Sequence, residues 1–172
     1  MYTENFISAK ELDYALAAGV TLNIGCLDTL ITHKDKLRGQ NIFVRINPKI
    51  GAGSSYHVIT GGPKSKFGVY ENHLDEFIKV AKENDIHIKG VHQHIGSNMK
   101  KGDDDVFLET LKYVASLLPK FEEVEVFNIG GGLGVAYKED EEISDPVELY
   151  KKAKEIINRW EMALGRTIRI AV

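Results

Sequence analysis

Val124-Glu125-Val126-Phe127-Asn128-Ile129-Gly130-Gly131-Gly132-Leu133-Gly134 is the stretch on which the reading of this chain turns. The apolar, β-branched run from Val124 to Phe127 reads as a buried strand, and three consecutive glycines let the backbone turn without Cβ clashes. Amides with no side chain around them can converge on an anion at a strand's carboxyl end, phosphate being the usual ligand. The same turn also serves as a tight strand-to-loop connection that binds nothing, so the surrounding chain has to decide.

Outward from that stretch, short apolar runs alternate with amphipathic helical patterns at a spacing of roughly 20 to 40 residues, the signature of successive βα units on a parallel sheet. Upstream, Ile86 to Gly96 reads as the fourth strand and carries His92, His94 and, just beyond it, Ser97. Asp103 to Asp105 then starts another helix, with Val106, Phe107, Leu111, Val114 and Leu118 as its apolar face. Downstream, Lys138 to Glu142 reads as a solvated acidic loop. Asp145-Pro146-Val147-Glu148 then reads as N-cap, N1 proline and N3 glutamate of a helix that runs to about Leu164 and stops at Gly165. Thr167 to Val172 is a sixth apolar strand with nothing after it, which reads as a cut.

Nearer the amino end, Tyr2 to Asn5 is a strand remnant, Thr21 to Ile24 the second strand and Asn41 to Ile46 the third, stopped by Asn47-Pro48. Ser8 caps a helix to about Ala18, Asp28 caps a short helix carrying Leu30 and Ile31, and Asn72 to Asn84 forms another helix. Between Lys49 and Gly68 lies the longest irregular stretch, and loops of that length inside a compact domain are usually functional or mobile.

Composition narrows the classes. With 172 residues and 43% hydrophobic content the chain can bury a core, and a net charge of -3 with dispersed cations gives no field for nucleic acid. No apolar run approaches the ~20 residues of a membrane span, and the first residues lack the pattern of a signal peptide, so a cytoplasmic location is expected. The single cysteine, Cys26, excludes an internal disulfide and any multi-cysteine metal site.

Asn5, Cys26 with Asp28, Arg45 with Asn47, His94 with Ser97, and Gly130 to Gly132 all fall at carboxyl ends of the expected strands. In parallel α/β folds those ends share the edge where ligands bind. This predicts a site that meets an anionic group at Gly130, Gly131 and Gly132 and a ring or carbonyl near His94. His92 and His94, two apart on a strand, face the same way, so two other readings stand beside it: a metal site, and packing alone. Completing ligands for a metal are not evident, because His33, His57, His73 and His87 lie elsewhere in the pattern.

His92-Gln93-His94-Ile95-Gly96-Ser97 together with Gly130-Gly131-Gly132-Leu133-Gly134 resembles the PLP-dependent amino-acid decarboxylases with an alanine-racemase-like barrel, most closely the diaminopimelate decarboxylases. Arg45-Ile46-Asn47-Pro48, Thr60-Gly61, Ser65-Lys66-Phe67-Gly68 and Asn5-Phe6 fall in the expected order, and the likeness covers essentially all 172 residues. The resemblance implies a partial TIM-type barrel with about six of eight strands, truncated at both ends, with pyridoxal 5'-phosphate as cofactor. His94 would stack on the cofactor ring, Ser97 and the amides of Gly130, Gly131 and Gly132 would hold its phosphate, and Arg45 would join the polar network beside it. Lys66 would lie toward a dimer interface; His92 and His57 match family positions without an assigned role.

The implied reaction of the intact homodimer is decarboxylation of meso-diaminopimelate, a small amino acid, to L-lysine. The Schiff-base lysine, the Glu-Pro-Gly-Arg segment and a carboxyl-terminal β domain have no counterpart here. The chain alone is therefore expected to be inactive and to hold the cofactor weakly. An ornithine- or arginine-type decarboxylase and a non-catalytic PLP-binding barrel are alternatives, as is a flavodoxin-like protein with some phosphate ligand.

Overall fold

Ser8-Ala9-Lys10-Glu11 starts the first helix with a reciprocal cap: the Glu11 amide donates to Ser8 Oγ (3.3 Å) and the Ser8 amide donates to the Glu11 carboxylate (2.8 Å). The apolar residues that follow at helical spacing, Leu12 and Ala15, are buried. The same logic repeats along the chain in a computed structural model that describes residues 1–3, 6–51, 60–62 and 65–172. The strands are β1 (Tyr2–Thr3), β2 (Leu22–Ile24), β3 (Asn41–Arg45), β4 (His87–His92), β5 (Val126–Asn128) and β6 (Arg169–Ala171). The α-helices are α1 (Ala9–Ala17), α2 (Leu27–Leu37), α3 (Glu71–Glu83), α4 (Asp104–Ser116) and α5 (Pro146–Leu164).

Every strand pairs in parallel with its neighbour in sequence, in the order β1-β2-β3-β4-β5-β6. That order builds the wall of a βα barrel. A flavodoxin-like sheet would instead reverse its strand order at a switch point, so that alternative is excluded. The fold is α/β, a curled half-barrel of six parallel strands with alternating helices.

Strand alternation divides the side chains into two sets. Ile24, Val44, Val91 and Phe127 lie in one row of the register and are fully buried in one core with Leu12, Leu30, Leu74, Phe77, Leu111 and Ile157. The alternate rows, Asn23-Phe43-Gly90-Val126 and then Arg45-His92-Asn128, carry the polar groups. Gly90 is required where it stands, because a Cβ there would lie 2.6 Å from the Phe43 ring. Phe43 thus fills the level below Arg45 and His92 and seats the polar row at the carboxyl edge.

Several boundaries differ from the sequence reading by a residue or more, and two of them bear on the site. Asp28 does not cap the second helix: Cys26, in extended backbone, occupies the N-cap with no side-chain bond, and Asp28 sits in the first turn of an 11-residue helix, where its charge complements the dipole. The fourth strand stops at His92 because its ladder with β3 ends at Arg45 and that with β5 ends at Asn128. His94 and Ser97 therefore project from a loop. The α5 ends match their signals: Asp145 accepts from the Val147 and Glu148 amides, and Gly165 adopts the left-handed φ of 64°.

Lys138 to Glu142, read as simply solvated, is tied down. Glu141 pairs with Lys100 (3.0 Å), Glu142 with Lys101 (3.4 Å), and Ser144 Oγ donates to Asp104. Among the described residues no helix is long and apolar enough to cross a membrane.

Candidate functional site

The site forms where the chain leaves β3, β4 and β5. Arg45, the last residue of β3, is buried, stacks its guanidinium 5.0 Å from the Phe67 ring centroid and donates to the His94 carbonyl (3.5 Å). Thr60 Oγ1 donates to that same carbonyl (3.4 Å), while the Thr60 and Gly61 amides donate to the Ile95 carbonyl (3.2 and 3.3 Å). The backbone that carries His94 is therefore held from two sides.

Asn47, buried just past β3, organises the segment that supplies Thr60. Its Nδ2 donates to the Gly62 (3.2 Å) and Phe67 (2.9 Å) carbonyls, and its Oδ1 accepts from the Lys49 (2.9 Å) and Gly62 (3.2 Å) amides. Four satisfied bonds on one amide make truncation costly, since it strands backbone groups that were paired. Asn47→Ala is expected to loosen the segment by about 2 kcal/mol, read as faster limited proteolysis between Lys49 and Gly68. Unchanged cleavage would show that Asn47 does not anchor it.

The glycine turn follows β5. The Gly130 amide donates to Asn128 Oδ1 (2.8 Å), with Gly130 at a φ of 78° and its Cβ position blocked by the Gln93 carbonyl. Gly132, at a φ of 93°, is blocked in the same way by the Gly96 carbonyl. Its own carbonyl accepts from the Met99 amide (2.9 Å), and the Gly134 amide donates to the Met99 carbonyl (2.8 Å), so Met99 and Leu133 form a parallel bridge above the rim. Gly131 faces open space. Among the described residues the Gly131 and Gly132 amides have no acceptor, and Ser97, exposed, has its Cα 3.3 Å from where a Gly132 Cβ would stand. Two free amides beside an exposed hydroxyl suit an anion; the Gly130 amide is already engaged.

His92 and His94 present nearly parallel rings, with centroids 6.4 Å apart and an interplanar angle of 16°. Burial, then the charges of Arg45 and His94, push the His92 imidazole down to about 3. Burial, then Arg45, also lowers His94, so both rings are neutral near pH 7. Asn23, fully buried on β2, donates from Nδ2 to His92 Nδ1 (2.8 Å) and to Thr3 Oγ1 (3.2 Å). Among the described residues no three His, Cys, Asp or Glu side chains converge on a metal position, and the Arg45 cation opposes a second cation beside the histidines.

Of the residues singled out in sequence, Arg45, His94, Ser97, Gly130, Gly131 and Gly132 gather at the carboxyl ends of three adjacent strands, β3, β4 and β5. Asn5 and His57 lie outside the described residues. Cys26 is half-buried at the start of α2, and Lys66 is exposed, with Nζ 5.8 Å from the Phe6 ring centroid. Asn47, placed at this edge in sequence, proves to anchor the neighbouring segment, whereas Asn23 and Asn128 were missed as structural members of the site. Their signal was a lone amide inside or just after an apolar run, as in Leu22-Asn23-Ile24.

The donor set fits a phosphate with a ring beside it: free amides and a hydroxyl at one end, a neutral imidazole at the other. A family model described as pyridoxal-dependent decarboxylase, pyridoxal binding domain, matches residues 1–171. The chain belongs to this family. Among its relatives, the diaminopimelate decarboxylase of Methanothermobacter thermautotrophicus is 36% identical over 177 residues, covering 96% of this chain and 40% of the relative. A crystal structure of a diaminopimelate decarboxylase superposes with a TM-score of 0.83 at 26% identity, over 99% of this chain and 40% of that one. The Helicobacter pylori enzyme, crystallised with L-lysine, superposes with a TM-score of 0.77 at 32% identity, over 95% of this chain and 42% of that one. The chain thus spans about 40% of the length of the pyridoxal-dependent decarboxylases it matches.

Proposed function

We propose that residues 1–172 form a cofactor-binding wall of a decarboxylase that converts meso-diaminopimelate to L-lysine and carbon dioxide. The observation that carries the proposal is the pair of unpartnered amides at Gly131 and Gly132 beside Ser97, on the same rim as a neutral His94. The names of the relatives support the substrate.

Pyridoxal 5'-phosphate, when bound, supplies the electron sink for the pair released as the substrate's carbon–carboxylate bond breaks and a proton takes its place. The protein's part is grip and electrostatics. The Gly131 and Gly132 amides and the Ser97 hydroxyl would hold the phosphate, with Gly130 fixing the turn from which they project. His94 would lie against the ring, its backbone pinned by Arg45 and Thr60. Arg45 would add positive potential to a site that receives an anionic cofactor and a carboxylate substrate. In this reading the cofactor-linking lysine and the acid that faces the ring nitrogen come from other parts of the enzyme, a cytoplasmic homodimer with the Lys66 segment toward its interface.

The test is a titration of the intact protein with pyridoxal 5'-phosphate, followed by absorbance, and assay of carbon dioxide release from meso-diaminopimelate, ornithine and arginine. His94→Ala is expected to weaken cofactor binding roughly 10- to 100-fold, as loss of a ring contact worth ~1 to 3 kcal/mol requires. Release from ornithine or arginine in place of meso-diaminopimelate would overturn the substrate, and cofactor binding indifferent to His94 would overturn the site.

A further inference from the structure

Beneath His94, the described residues hold a chain of three polar side chains from three strands. Thr3 lies on β1, Asn23 on β2 and His92 at the end of β4, joined by the two bonds that Asn23 Nδ2 donates. The amide's orientation follows from counting donors. As placed, only Asn23 Oδ1 is left without a partner; turned over, both amide hydrogens would be stranded in a fully buried position, which costs more than one idle acceptor. Asn23 Nδ2 is therefore the donor and His92 Nδ1 the acceptor. A neutral imidazole that accepts at Nδ1 carries its proton at Nε2, so the relay fixes one tautomer.

His92 is 6% exposed, and among the described residues its Nε2 has no hydrogen-bond partner. Nε2 is not among the enclosed unpartnered atoms of the described residues, so the N–H left over from the relay that holds the ring is open to meet an acceptor at the rim. Its position says which kind. His92 lies one level deeper than His94 and further still from Ser97, Gly131 and Gly132, so the phosphate donors serve another part of the ligand. In the cofactor reading, an imidazole at this depth would meet the edge of the ring that His94 would lie against. There an N–H matches an oxygen substituent and mismatches a protonated ring nitrogen.

We infer that His92 is a second ring-contacting residue, whose Nε2–H donates to the phenolic oxygen of bound pyridoxal phosphate, with Asn23 and Thr3 as positioning residues that hold its tautomer. This rests on the cofactor reading above. An uncharged donor suits the place, because a cation there would add to the Arg45 charge that both histidines already meet.

The experiment titrates the intact protein and its variants with pyridoxal 5'-phosphate, reading affinity and the absorption spectrum of the bound cofactor. His92→Phe keeps a ring but no donor and is expected to weaken binding roughly 10- to 100-fold and to shift the absorption maximum. His92→Gln can accept from Asn23 and still donate, so it should stay within a few-fold of the parent and keep its spectrum. Asn23→Leu frees the tautomer and should weaken binding less than His92→Phe does. Nitrogen NMR of the cofactor-free protein should show His92 protonated at Nε2, and protonation at Nδ1 would overturn the relay. Parent-like affinity and spectrum in His92→Phe would overturn the contact while leaving the cofactor site intact. Failure of the parent itself to bind would overturn the cofactor reading and this inference with it. Equal losses in His92→Phe and His92→Gln with unchanged spectra would show a packing role only and also overturn the contact.

Discussion

Alanine at Gly132 is expected to destabilise the protein by about 3 kcal/mol, whereas alanine at Gly131 should leave its stability unchanged and still weaken the site. At Gly132 the φ of 93° lies where a Cβ strains the backbone, and the added carbon would collide with the Gly96 carbonyl. Relief requires the loop after β4 to move, and that movement opens the Met99–Leu133 bridge. At Gly131 a Cβ meets no atom within 4 Å. The methyl group would occupy only the space assigned to the anion, beside the free amides. Urea unfolding without cofactor separates the two variants, and phosphate or pyridoxal phosphate titration of Gly131→Ala then reports on the ligand alone. Equal stability of Gly132→Ala and the parent would contradict the geometry of the turn. Unaltered anion affinity in Gly131→Ala would remove the turn from the site.

Acid should weaken the fold through His92. The ring titrates near 6.5 when unfolded and is pushed down to about 3 when folded, by burial first and then by Arg45 and His94. Between those values the unfolded chain binds a proton that the folded one does not, so stability falls as pH drops from 6.5 toward 3. By pH 4.5 the loss from this group is about 3 kcal/mol, at ~1.4 kcal/mol for each pH unit below 6.5. Carboxylates such as Glu71, held low by its bond from Lys49, and Glu123, held low by Lys89, also lose stability in acid. Their share is common to parent and variant. The measurement is therefore a difference: urea midpoints at pH 7 and 4.5 for the parent and for His92→Gln, the variant losing about 3 kcal/mol less. Identical pH slopes would show that His92 does not resist protonation in the fold.

Much of this arrangement was legible in the residues. Period-two and period-3.6 apolar patterns placed the strands and helices, because burial against a barrel wall leaves one face of each helix free to be polar. The cap at Ser8 and the stop at Gly165 were visible because those residue types solve a local backbone problem. What was hidden depended on contacts far apart in sequence. Nothing local shows that Arg45 reaches the His94 carbonyl, or that Glu141 reaches Lys100. The end of β4 at His92 was equally hidden, since a strand stops when its neighbours' ladders stop, and those neighbours begin 51 residues earlier at Asn41 and 34 residues later at Val126. The Asn23 relay escaped notice because an asparagine in an apolar run reads as an interruption until its partners on β1 and β4 are in view.

The bridge between Met99 and Leu133 has a consequence for assembly. His92, His94, Ser97 and the glycine turn all belong to one βαβ unit, β4-α4-β5, and the bridge closes that unit around a single helix. Ordering the lip proposed to hold the phosphate therefore demands one loop closure, whose entropic cost grows only logarithmically with the residues enclosed, and no docking of distant strands. The Thr3–Asn23 relay, in contrast, joins β1 and β2 to His92 across the wall, so the tautomer of His92 is settled only after the more distant strands have come into place. Closure of the proposed anion-binding lip and alignment of the His92 ring are thus separate events in the making of one site.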